Sequence, residues 1–179
     1  MRYPVGGLDQ AGVTEIRRLK ARVNAERLPR GADPTTHTKL GRGGLGDIEW
    51  TIQLVQMQHA RAVHDLRSTS TLDALQAAAE AGLIAHHCAA DMITAWRLAT
   101  RVRNALMLVR GRPSDQLPRY GPDLAGVAWV VDRETDDPQS FVDSYLAPPR
   151  PAAPAARWRT SSAPNLPLSC DQQAGGCRV

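Results

Sequence analysis

Aromatic side chains are scarce: one Phe, three Tyr and four Trp make up 4% of the 179 residues. Strands lean on aromatic and β-branched residues. Their shortage, with Ala and Leu recurring throughout, argues against a β-sandwich and for packed helices. Long apolar runs are missing too. No stretch approaches the roughly 18–20 residues that a membrane span needs, and the start, MRYPVGGLDQ, lacks the basic-then-apolar order of a secretory signal. Three cysteines, Cys88, Cys170 and Cys177, form an odd set without a signal peptide, which fits a reducing cytoplasm. Free thiols are expected at Cys170 and Cys177, and no membrane partner is expected. An Asp-x-Asp pair is also absent from the whole chain.

The 42% hydrophobic content is enough for one domain with a real core, or a domain plus a tail. Net charge is +4, a mild basic excess that permits contact with phosphates or an acidic partner. Glu15, Glu26, Asp47, Glu49, Asp73 and Glu80 interrupt any continuous basic stripe, so a nucleic-acid partner is not expected.

Apolar spacing predicts a sequence of helices. Asp9 to Leu28 carries Ile16, Leu19 and Val23 on one face, with Asp9 as cap and Pro29 as terminator. Residues 29–46, rich in Gly and Pro, read as a loop. Asp47 to about Val63 carries two adjacent apolar stripes, Ile48, Ile52 and Val55 beside Trp50, Leu54 and Met57, so it belongs at the centre. A third helix opens at Ser70, with Asp73 as a capping acid and Leu72, Leu75 and Ala79 inward, and ends at Gly82. The fourth, from about Ala89 to Val109, turns Ala95, Leu98, Val102, Leu106 and Val109 to the core. Shorter helices follow at Asp123–Val131 and Gln139–Leu146. The fold class is therefore all-α: a bundle-like helical domain over residues 1–146, with a Gly-rich loop between its first two helices. Residues 147–179, rich in Pro, Ala and Ser, read as a disordered tail.

The segment KLGRGGLGDIEW, residues 39–50, carries the densest chemistry. A glycine loop feeding a helix start can offer backbone N–H groups and the positive end of the helix dipole to an anion. Lys39 and Arg42 add positive charge; Asp47 and Glu49 could hold a divalent cation or orient the basic residues. The spacing is neither a Walker loop nor a dinucleotide fingerprint, and a plain glycine turn before a well-capped helix satisfies it equally. Arg97, Arg101 and Asn104 share one face of the fourth helix, open to a ligand cleft, a partner or solvent. His86, His87 and Cys88 are adjacent and point in different directions, so they do not make a metal site. His59 and His64 read as partly exposed helix residues, and Trp50 and Trp96 as core.

Residues 27–60, RLPRGADPTTHTKLGRGGLGDIEWTIQLVQMQHA, closely resemble the bacterial glutamine synthetase adenylyltransferase/adenylyl-removing family. That family has a KLGRGG, hydrophobic, any, acidic, hydrophobic, Glu, Trp-or-Phe signature in the helical domain after its nucleotidyltransferase domain. LRSTSTLDALQAAAEAGLI, residues 66–84, and AWRLATRVRNALMLVRGRPSDQLP, residues 95–118, continue the likeness, which covers roughly residues 2–146. The resemblance implies a bifunctional enzyme. It transfers AMP from ATP to a tyrosine of glutamine synthetase, removes it by phosphorolysis, and answers to PII protein and glutamine. ATP and Mg²⁺ are the implied cofactors of the full enzyme, and glutamine synthetase and PII the implied partners. The RGRPSDQLP pattern suggests the adenylylating, C-terminal half.

Two departures limit this expectation. The family's chemistry uses an Asp-x-Asp pair on Mg²⁺, and here Asp136–Asp137 and Asp47-x-Glu49 follow no predicted strand. The catalytic domain would lie upstream of Met1, making this chain a fragment that is inactive alone. The Pro-rich end also replaces a charged helix, as a frameshift would. The expected function is that of the helical complement to an absent catalytic domain; a stand-alone binding module for glutamine synthetase or PII is the alternative. Lys39, Arg42, Gly43, Gly44, Asp47, Glu49 and Arg101 are the candidate site residues, at a nucleotide cleft or a domain interface.

Overall fold

The computed structural model describes residues 7–133 and 137–147. Six α-helices occur among them: α1 Gln10–Arg27, α2 Leu45–His59, α3 Thr71–Glu80, α4 His86–Arg110, α5 Pro122–Val131 and α6 Pro138–Leu146. A short 3₁₀ turn, His64–Arg67, precedes α3. The described residues contain no strand, only one isolated antiparallel bridge between His37 and Gln116. No helix among them is long and apolar enough to cross a membrane. Residues 148–179, with Cys170 and Cys177, lie outside the described set.

Local chemistry sets most helix ends. Asp9 Oδ1 accepts the Gly12 amide at 2.8 Å and caps α1. Ser70 Oγ accepts the Asp73 amide and caps α3. Asp137 takes the Gln139 and Ser140 amides, each at 3.0 Å, so it is a helix cap rather than a free acid. Such caps contribute about 1 kcal/mol each. Gly111, at φ 63°, terminates α4 in the left-handed conformation.

The long helix α4 joins two apolar clusters. Its first half contributes Cys88, Ala89, Met92 and Ala95 to a cluster with α2, the 3₁₀ turn and α3. Its second half contributes Val102, Ala105 and Leu106 to a cluster with Leu117, α5 and α6. The α4–α5 pairing is antiparallel: Arg110 Nε meets Asp123 Oδ2 at 2.8 Å near one end, and Arg101 donates to the Val131 carbonyl at the other. Cys88 is buried in the first of these clusters.

Three expectations need correction. The second helix begins at Leu45 and stops at His59, not Val63. The His59 carbonyl accepts both Ala62 and Val63 amides and turns the chain. Gln56, buried in α2, then donates to Leu66 and Ser68 carbonyls and fixes the 3₁₀ segment. The fourth helix starts three residues early, at His86, after Ala85, which offers no side-chain cap. Among the α1 residues whose burial is described, Val13 alone is buried, while Ile16 and Val23 are half-buried and Leu19 is exposed, so the expected stripe is not a core face.

Leu106, fully buried on the half of α4 that meets α5 and α6, tests this arrangement. Leu106→Ala should lower stability by about 2–5 kcal/mol in urea denaturation. It should do so in one transition, because α4 belongs to both clusters.

Candidate functional site

The glycine segment is held from three directions. Upstream, residues 33–38 lie against residues 115–119, more than seventy positions away in sequence. The Thr38 amide donates to the Asp115 carbonyl at 2.7 Å, and the Leu117 amide donates to the Thr36 carbonyl at 3.0 Å. Arg119 Nε meets Asp33 Oδ2 at 2.7 Å, and Arg103 Nε meets Asp115 Oδ1 at 2.6 Å. The Thr35 hydroxyl, with its amide and Arg119, holds the Asp33 carboxyl down at about 2.

His37 sits between this stitch and the glycines, 4% exposed. Its Nδ1 accepts the Leu40 amide at 3.0 Å and the Lys39 amide at 3.3 Å, and its carbonyl accepts the Gly41 amide at 2.9 Å. An acceptor Nδ1 means a neutral ring protonated on Nε2. Burial pushes the pKa of His37 below its ordinary value, against the pull of Asp115.

Every amide from Lys39 to Gly46 has a partner inside the protein. Beyond the three just given, Arg42 donates to the Pro34 carbonyl, Gly44 to Gly41, Leu45 to Thr38 and Gly46 to Lys39. The Gly43 amide donates to Asp47 Oδ2 at 2.9 Å. Such crowding explains the glycines. A Cβ at Gly41 would stand 2.3 Å from the His37 carbonyl oxygen, and one at Gly44 would stand 2.7 Å from that of Thr38. Backbone, not flexible side chains, fills the space.

Asp47 closes the arrangement from below. It is 4% exposed, and its Oδ1 lies 2.7 Å from Lys20 Nζ of α1. That contact is ionic, with no well-aimed hydrogen bond to the same oxygen. Lys20 also stands 5.5 Å from the centre of the Trp50 ring, a cation–π contact. One carboxylate thus binds the loop and α1 together.

The candidate residues therefore separate by position. Lys39 and Arg42 have exposed side chains with no ion pair among the described residues. Gly43, Gly44 and Asp47 are buried. Glu49 is half-buried without a described ionic partner. Arg101 lies elsewhere, lining a cleft of about 300 Å³ with Leu98, Val131, Asp132, Phe141, Ser144 and Tyr145. No residue of the glycine segment lines that cleft. Trp50 faces Lys20 rather than filling core, whereas Trp96 packs on the first cluster. Among the described residues no group of three or more His, Cys, Asp or Glu could hold a metal ion.

The sequence model of the GlnD PII-uridylyltransferase family matches residues 17–146, most of the chain. The chain belongs to this family. It is homologous to the bacterial bifunctional glutamine synthetase adenylyltransferase/adenylyl-removing enzymes. Over 156 residues, 87% of this chain, it is 56% identical to the enzyme of that name from Mycobacterium avium. It is 55% identical over 157 residues to that from Mycolicibacterium smegmatis, and 56% over 147 residues to that from Nocardia farcinica. The chain spans only 16% of the length of the first two relatives and 15% of the third.

Sequence reasoning missed His37 and Lys20. The alternation Thr36-His37-Thr38 beside a glycine run was the available signal: two β-branched residues flanking one polar ring suit an extended, paired segment.

Asp47 and Glu49 should respond differently to truncation. Asp47→Ala leaves Lys20 facing an empty, buried site and should cost about 3–5 kcal/mol. Glu49→Ala should stay within about 0.5 kcal/mol. Thermal unfolding of the two variants, with and without Mg²⁺, checks this, and no rescue by the metal is expected.

Proposed function

We propose that this chain is the helical module of a glutamine synthetase adenylyltransferase, acting beside a nucleotidyltransferase domain that it does not itself contain. In this reading the complete enzyme transfers AMP from ATP to a tyrosine of glutamine synthetase and removes it by phosphorolysis. ATP and Mg²⁺ are handled by the catalytic domain, whose Asp-x-Asp pair holds the metal. The carrying observation is the 56% identity to a named adenylyltransferase across a segment that is only 16% of that enzyme. The strand-free architecture of the described residues supports it, since a nucleotidyltransferase core is built on a sheet.

The candidate residues take roles at a domain interface. The exposed Lys39 and Arg42 side chains offer positive charge on a loop whose shape is already fixed. Gly43, Gly44 and Asp47 maintain that shape. Glu49 supports the start of α2, and Arg101 serves the separate cleft between α4, α5 and α6. Anion contact through the loop amides is not part of this proposal, because those amides are occupied.

A second reading is a non-catalytic binding module for glutamine synthetase or PII. The family description, which names PII as the target of uridylylation, favours it.

An adenylylation assay with Mg²⁺, labelled ATP and unmodified glutamine synthetase separates the outcomes. Label should transfer only when the separately expressed nucleotidyltransferase domain of a relative is added, and more than that domain transfers alone. Transfer by this chain alone would overturn the proposal. Failure of the mixture, together with retention of glutamine synthetase or PII on the immobilised chain, would select the second reading.

A further inference from the structure

We propose that His37 makes the glycine loop a proton-operated latch, closed while Nδ1 is free to accept the Lys39 and Leu40 amides and opened when a proton occupies that nitrogen. The geometry leaves little alternative for the charged ring. Nδ1 stands 3.0 Å from the Leu40 nitrogen and 3.3 Å from the Lys39 nitrogen, and both N–H bonds point at it. A third N–H, on the ring itself, would face two others in a site that is almost closed to water. The proton comes from solvent and stays on the ring, turning an acceptor into a donor. Two amides then lose their partner, and unsatisfied buried donors are costly.

The neighbouring loop acts as the hinge frame. Thr36 and Thr38, on either side of His37, are fastened to Leu117 and Asp115. The imidazole cannot easily leave while the bridge holds, so the glycine segment is the side that gives way. Opening would also disturb the Gly43–Asp47 bond and thereby the tie to Lys20.

The charged groups facing the ring are few. Asp115 attracts the proton and Lys39 repels it, while burial, the largest influence, opposes it. Arg103 occupies Asp115 from α4 and weakens its pull. The folded pKa therefore lies below the ordinary histidine value of 6.5. A base with a lowered folded pKa contributes stability that is present above the unfolded value and is lost as pH falls through the folded one. The latch is thus closed at neutral pH and weakens as pH falls below 6.5. Asp33 releases its contribution between its ordinary 3.8 and about 2, below the pH 5 limit of the exchange measurement. His59, also lowered by burial, titrates in the same direction and must be separated by mutation. The latch does not depend on the proposed function of the chain.

His37→Asn is the discriminating variant, because Asn Oδ1 occupies the place of His Nδ1, accepts the same amides and does not titrate. Hydrogen-exchange protection factors, corrected for intrinsic rate, are measured for Lys39, Leu40 and Ile52 between pH 7.5 and pH 5. In the unmodified chain, protection at Lys39 and Leu40 should fall by up to about tenfold per pH unit as pH drops below 6.5, levelling off only below the folded pKa, while Ile52 changes far less. In His37→Asn the Lys39 and Leu40 values should stay within about twofold of their neutral value. An equal fall in both proteins would overturn the latch and point to His59 or global loosening. Should the variant not fold, the ¹⁵N resonances of the His37 ring in the unmodified chain decide. Protonation of Nδ1 coincident with loss of Lys39 and Leu40 protection supports the proposal, and protonation without that loss overturns it.

Discussion

Backbone hydrogen bonds between residues 36–38 and 115–117 pin a segment with no regular structure of its own to the loop that follows α4. Everything from His37 to Asp47 takes its shape from that pin. The bonds are short, buried from competing water, and bracketed by the Arg119–Asp33 and Arg103–Asp115 pairs. An exposed ion pair contributes little by itself. Here the pairs matter because they close both ends of a short bridge that fixes the position of one imidazole. That imidazole holds the first turn of the glycine loop, and the loop delivers Gly43 to Asp47.

This chain of dependence changes what a glycine-rich segment means. Glycines before a helix often leave backbone N–H groups open to a phosphate. The same composition also arises where backbone must pass within a few ångströms of backbone, and Gly41 and Gly44 are of that second kind. With its amides satisfied internally, the loop leaves the side chains of Lys39 and Arg42 exposed and without an ion pair among the described residues. Asp47 is a brace rather than an open ligand, since both its oxygens are engaged.

Much of the helical frame was legible because it is written locally. Asp9, Ser70 and Gly82 mark helix ends through contacts within a few residues, and the α2 and α4 core positions follow the helical period. Two misses are local boundaries, the end of α2 at His59 and the start of α4 at His86; the rest are long-range. The α1 stripe of Ile16, Leu19 and Val23 obeys the period but is half-buried or exposed, and α1 is tied on instead by Lys20 and, just before its start, by the Leu8 amide on the Met57 carbonyl. Pairing of Thr38 with Asp115 spans 77 positions and leaves no periodic trace. The only local hint of His37 is the weak Thr36-His37-Thr38 alternation, so it passed unnoticed while the visible Lys39, Arg42, Asp47 and Glu49 drew attention. Family resemblance supplied the biochemical context, whereas the physical role of each loop residue needed the geometry.

Titration of the folded chain with Mg²⁺–ATP and with inorganic phosphate, followed by amide shifts at Leu40, Gly41, Gly43 and Gly44, tests the central claim most directly. An internally satisfied loop predicts that these amides stay put, with any response confined to the side chains of Lys39 and Arg42. Saturable shifts of the Gly43 and Gly44 amides would show that the loop opens to receive an anion, and would contradict the account.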